Sequence, residues 1–109
     1  MIAKKTFCAL AATILLPLSA AAAGNAELGK MKSQTCTACH GEDGRGIAPI
    51  YPVLAGQHAD YLALALKQYR SGERSNAIMA PMAGPLSDDD IADLAAFYAS
   101  LDGLNTPAW

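Results

Sequence analysis

Basic residues are too few and too scattered for a nucleic-acid binder. The chain has 8 Lys and Arg against 10 Asp and Glu, and two of the eight, Lys4 and Lys5, stand at its extreme N-terminus. The other six, Lys30, Lys32, Arg45, Lys67, Arg70 and Arg74, make no stripe that would displace counterions from a phosphate backbone. Cysteine and histidine are scarcer: Cys8, Cys36 and Cys39, with His40 and His58. A zinc site would want a second ligand pair, and there is none. No alternating strand pattern surrounds the two close cysteines, which excludes the βαβ setting of a thioredoxin-like redox site. The glycine cluster Gly41, Gly44, Gly46 lacks the lysine and Ser/Thr of a phosphate loop and the strand of a dinucleotide fingerprint. Internal repeats, low-complexity tracts and linkers are also missing.

No apolar run reaches the roughly 20 residues of a membrane span. The most apolar stretch instead has the layout of a secretory leader. Lys4 and Lys5 form its positive region, Thr6 to Leu18 its apolar region interrupted late by Pro17, and Ser19 to Ala23 its small-residue end. Residues 1–23 are therefore expected to be a signal peptide cleaved after Ala23, with residues 24–109 as one mature domain. Cys8 leaves with the leader, and its position near the start of the apolar region disfavours a lipoprotein. The mature part then has six basic residues against ten acidic ones, a net charge of −4. No permanent membrane span is expected in it, and export points to the periplasm.

What is present is Cys36-Thr-Ala-Cys39-His40. Two cysteines two residues apart, followed at once by histidine, are the attachment signal for a c-type haem. Both thiols become thioethers on one side of the porphyrin, and the histidine turns beneath the metal as an axial ligand. One covalent haem c is the expected cofactor. In a domain this small, a large flat apolar group also supplements the core, so the unattached chain is expected to fold poorly.

Around the motif the expected elements are helical. A first helix starts at Asn25, a good N-cap, with Glu27 in its first turn. Leu28, Met31 and Thr35 share one side by spacing, while Lys30, Lys32 and Gln34 read as solvated. Gly29 inside this helix is read as permitting close approach of another helix. After His40 the three glycines read as a flexible turn against the haem. The proline-punctuated stretch Ala48 to Gly56 is an extended loop able to offer a carbonyl to the Nδ1 proton of His40. A second helix runs from about His58 to Arg70 and stops at Gly72. His58 at its start is read as a surface or capping residue in preference to a sixth iron ligand.

Asn76 to Leu86 holds Met79, Met82 and two prolines and reads as a loop over the second face of the ring. A methionine thioether opposite histidine is how such haems reach a raised reduction potential. Spacing alone leaves Met79 and Met82 both open. The last helix opens on Ser87 with Asp90 as a short capping box, and Asp88 and Asp89 meet the positive end of its dipole, a better reading of the acidic triplet than a metal site. Ile91, Leu94, Ala95, Tyr98 and Leu101 then repeat at helical spacing until Asp102-Gly103.

These residues together resemble class I cytochrome c. The resemblance rests on Cys36 to His40, on Pro52-x-Leu54-x-Gly56, on Met79 seven residues before Leu86-Ser87, and on the aromatic-bearing last helix. It is nearest the small bacterial periplasmic types related to cytochromes c4, c5 and c-553, and Tyr51 to Ser71 is especially similar to a cytochrome c4 domain. The resemblance implies an all-α cytochrome c fold of three main helices and loops around one haem. It implies Cys36 and Cys39 as thioether cysteines, His40 as proximal ligand, Pro52 as the residue whose carbonyl holds that histidine, Met79 as sixth ligand and Met82 as pocket lining. It also implies that Gly29 meets Phe97 or Tyr98 where the first and last helices cross. Cytochromes c4 carry two such domains and this chain has one motif, and the lysine ring of mitochondrial cytochromes c is missing. The implied role is one-electron transfer between redox protein partners, a donor dehydrogenase or cytochrome complex and an acceptor oxidase or reductase, without bond chemistry on a substrate. The competing readings are a haem subunit of a larger dehydrogenase, and a gas sensor or small peroxidase with an open sixth site.

Overall fold

The structure is a computed structural model that describes residues 2–15 and 23–108. Residues 2–15 carry no helix or strand and are exposed. The rest of the expected leader end, including Pro17 and the small residues through Ala22, lies outside the described residues.

Among the described residues five helices follow in order: α1 (Ala26–Lys32), α2 (Gln34–His40), α3 (Ala59–Ser71), α4 (Met79–Ala83) and α5 (Asp88–Ser100). Local chemistry sets most of their ends. Asn25 Oδ1 accepts from the amides of Glu27 and Leu28, each at 3.0 Å, taking up two donors that no helical carbonyl reaches. At α5 the Ser87 hydroxyl accepts from Asp90 N while the Asp90 carboxylate accepts from Ser87 N, both at 3.0 Å, a complete reciprocal box. α3 ends at Gly72, which is left-handed and donates to the Gln68 carbonyl.

The first helical stretch differs from expectation in two ways. It breaks at Ser33, whose hydroxyl bonds back to the Lys30 carbonyl at 2.8 Å and so diverts the ladder. Its buried face is Gly29 and Ser33, whereas Leu28 is 45% and Met31 71% exposed. Small residues face inward because α1 and α5 cross in direct contact: a Cβ on Gly29 would run into the Asp93 carbonyl and stand 2.7 Å from Phe97 Cβ.

Lys32, expected to be solvated, fastens the same crossing. Its Nζ reaches Asp90 at 2.8 Å and Asp93 at 2.7 Å, and the other Asp93 oxygen accepts from Asn25 N at 2.8 Å. The Lys32 hydrogen bond and the Ser87 cap hold the Asp90 carboxyl down to about 2, and the two aspartates raise Lys32 to about 12. A depressed carboxyl stabilises the fold above its ordinary pKa near 3.8 and loses that contribution as pH falls through about 2. A Lys32→Met variant is therefore expected to lose thermal stability at neutral pH and to show a shallower fall in Tm between pH 4 and pH 2 than the parent. Parallel acid limbs in the two proteins would remove the clamp from the acid response.

The core joins Leu62 of α3 to Leu94, Ala95, Phe97 and Tyr98 of α5, with Leu54, Leu66, Leu86 and Leu101 packed around them. Cys36 packs against this cluster too. The expected apolar face of α5 is thus the one buried.

Candidate haem site

Cys36, Cys39 and His40 are all on α2, at spacings of three and four residues, so they share one face of the helix. The end of α2 is fixed by the turn that follows. Gly41 N, Ile47 N and Gly46 N donate in turn to the carbonyls of Thr37, Cys39 and His40, at 2.9, 3.0 and 2.6 Å. Gly46 makes this return possible, because its φ is +81° and a Cβ there would lie 2.5 Å from the Tyr51 carbonyl oxygen. The glycines expected to give a flexible turn lie in a hydrogen-bonded one. The Gly44 carbonyl also accepts from Leu54 N and Ala55 N, at 2.8 and 3.0 Å.

The proline loop comes back over His40. The buried imidazole has its Nδ1 3.0 Å from the Pro52 carbonyl oxygen, and Tyr51 meets the ring edge-on with centroids 6.4 Å apart. A carbonyl only accepts, so Nδ1 carries the proton and Nε2 keeps the free lone pair. That is the tautomer and orientation a metal ligand needs.

The thiols sit in unlike places. Burial raises the Cys36 thiol above its ordinary value and favours the neutral SH form. Tyr98 Oη, also raised by burial, lies beside Ser33 and Cys36 with no hydrogen bond of good geometry among the described residues. Cys39 faces the Tyr51 hydroxyl, whose own pKa rises chiefly through a hydrogen bond with that cysteine.

Met79 and Met82 belong to a different segment. The stretch expected as a loop is helical from Met79 to Ala83, and this short α4 packs against α3. Pro81 does not break it, because proline is tolerated near the start of a helix. Met79 is half-buried and heads α4, while Met82 is 47% exposed one turn on. Asn76, which the sequence reading passed over, accepts at Oδ1 from the amides of Ile78 and Met79, both at 2.9 Å. A polar capping residue three positions before Met79 was the available signal.

His58 stands at the N-cap of α3 with extended backbone and gives its carbonyl to Leu62 N. Two of the acidic triplet are engaged by cations: Asp88 with Arg70 at 2.7 Å and Asp90 with Lys32. Among the described residues no helix is long and apolar enough to cross a membrane.

The residues fit a covalently held haem. Two free thiols one helical turn apart precede a histidine oriented with one ring nitrogen free. Ile47, Ile50, Val53, Leu64, Ile78 and Met82 leave apolar surface uncovered on the protein. A flat apolar group with two sulfur attachment points suits that donor set and surface.

The sequence model of cytochrome c matches residues 26–102. Cytochrome c-554(548) of Halomonas halodenitrificans is 57% identical over 81 residues, covering 72% of this chain and 98% of that protein. The thiosulfate dehydrogenase electron acceptor of Thiomonas intermedia is 42% identical over 78 residues, 71% of this chain and 36% of that protein. The solved reduced cytochrome c4 of Pseudomonas stutzeri superposes with a TM-score of 0.71 at 41% identity, over 75% of this chain and 48% of that one. The chain thus spans almost the whole of the first relative and about half of cytochrome c4. With this family match, an all-helical fold and a Cys-x-x-Cys-His site, the chain belongs to the cytochrome c family.

Proposed function

We propose that the mature chain, residues 24–109, is a periplasmic one-electron carrier with a single haem c. Cys36 and Cys39 hold the haem covalently, and His40 and Met79 are its axial ligands, with Met82 lining the pocket. The observation that carries this reading is the buried His40 held by the Pro52 carbonyl immediately after two free thiols. When bound, the haem iron supplies a ferric/ferrous couple. The chain's own task is to keep both ligands in place, exclude water and change no bond of a substrate. Pro52 fixes the ring of His40, and the bonded turn through Gly46 fixes the end of α2. A thioether from Met79 favours the ferrous state and so a raised potential.

The test is an optical redox titration of the mature holoprotein with and without carbon monoxide. The expected result is a positive potential, a methionine-to-iron charge-transfer band and slow or absent carbon monoxide binding. Met79→Ala is expected to keep the haem attached, lose the band and lower the potential by roughly a hundred millivolts or more, within the about 0.8 V over which axial ligation moves haem potentials. An unchanged potential removes Met79 as ligand. Fast carbon monoxide binding to the parent protein favours a sensor or peroxidase instead.

The name of the Thiomonas relative favours a dehydrogenase as electron donor. The acidic mature chain suits a donor with a basic docking patch, and its electron-transfer rate would then fall steeply with ionic strength. A stoichiometric complex surviving purification points to the subunit reading.

A further inference from the structure

The segment 72–87 between α3 and α5 is held differently at its two ends. At the far end Ala83 is fully buried, Leu86 packs on the core, and Leu86 N donates to the Ala83 carbonyl at 3.1 Å. Arg70 reaches the same end from α3, donating through Nη1 to the Leu86 carbonyl at 3.0 Å and through Nη2 to Asp88 at 2.7 Å. At the near end three successive amides converge on one residue. Ile78 N and Met79 N donate to Asn76 Oδ1, each at 2.9 Å, and Ala80 N donates to the Asn76 carbonyl at 3.0 Å.

Five residues are too few for a helix to hold itself in water. Pro81 brings no N–H to α4, so its first turn takes its order from outside the helix. Asn76 supplies that order at Met79 itself. A cap satisfies donors that otherwise seek water and fixes the backbone from which the first side chain projects.

We propose that Asn76 is a positioning residue for Met79. Its side-chain oxygen sets the backbone of the residue that carries the thioether, so the ligand is presented in place and not recruited from a loose loop. The inference rests on Met79 being the sixth ligand, as argued above. Ordering Met79 in advance lowers the conformational cost of keeping its sulfur bound and so raises the barrier to an exogenous ligand.

The experiment uses mature holoprotein and three variants, Asn76→Ala, Asn76→Asp and Met79→Ala, with two readouts. One is hydrogen exchange at the Ile78 and Met79 amides, and the other is carbon monoxide association with the ferrous protein. Asn76→Ala is expected to lose protection at both amides and to bind carbon monoxide roughly fivefold faster or more, the factor that corresponds to one lost cap. Asn76→Asp, which keeps the acceptor, is expected to restore both. Met79→Ala is expected to give the fastest association. If Asn76→Ala exposes the amides but leaves association unchanged while Met79→Ala speeds it, the cap is local only and the positioning role is wrong. If the aspartate variant fails to rescue, the oxygen acceptor is not what acts. If Met79→Ala itself leaves association unchanged, the ligand assignment falls, and the positioning role with it.

Discussion

A double variant, Cys36→Ser with Cys39→Ser, is expected to release its haem on acid–organic extraction and then to show no cooperative thermal transition. The parent should keep its haem through the same treatment. The reason lies in how little the polypeptide buries alone. Among the described residues, Ile91 and Leu94 are the largest side chains that are fully buried, and Ala55, Ala83 and Ala95 make up much of the rest of the core. Ile50 stays 77% exposed, in company with Ile47, Leu64 and Ile78. Net stabilities of ordinary domains are only about 5–15 kcal/mol, and a domain this small with so few large buried side chains sits close to the size at which a core alone falls short. Loss of the large apolar group therefore removes most of the margin. Differential scanning calorimetry of the extracted variant provides the check. A sharp endotherm within a few degrees of the parent would show that the chain folds without its cofactor.

The second large effect is expected at Gly29. Gly29→Val places a branched side chain against the Asp93 carbonyl and Phe97 Cβ, where even one added carbon has no room. The backbones of α1 and α5 must then separate, and the Lys32 and Asn25 bonds to Asp93 stretch with them. Overpacking of this kind costs about 3 kcal/mol. For a domain of this size that corresponds to a fall in Tm of about 12–24 °C. Thermal unfolding followed by far-UV circular dichroism measures it. Gly29→Ala should fall between the valine variant and the parent, and equal Tm values across the three would contradict a direct backbone crossing.

The features legible in the sequence are those decided within a few residues. Asn25, Ser87 and Gly72 act as helix ends because capping needs only the neighbouring turn, and the Cys-x-x-Cys-His spacing states its own chemistry. The buried face of α5 was legible because Ile91, Leu94, Ala95 and Tyr98 repeat at helical spacing. The face of α1 was not, because hydrophobicity pointed to Leu28 and Met31 while closeness of approach selected Gly29 and Ser33. Nothing local reports that a second helix will come so near. The same limit hid Lys32, whose role depends on two aspartates about sixty residues away. At α4, Pro81 read as a breaker, although a proline near the start of a helix is tolerated. With that weighed, Asn76 would have stood out as a cap.

The crossing of α1 with α5 also sets an order of assembly. Its closing contacts join residues 61 and 68 positions apart, the farthest ends of the domain. Closing so long a loop is entropically slow, and a chain made from its N-terminus lacks Asp93 until nearly the last helix has emerged. Until then α1 has no partner, and the cysteines of α2 have no core to pack against. The topology thus leaves the thiols open to solvent until the last helix has emerged, so covalent attachment can precede closure of the core over Cys36.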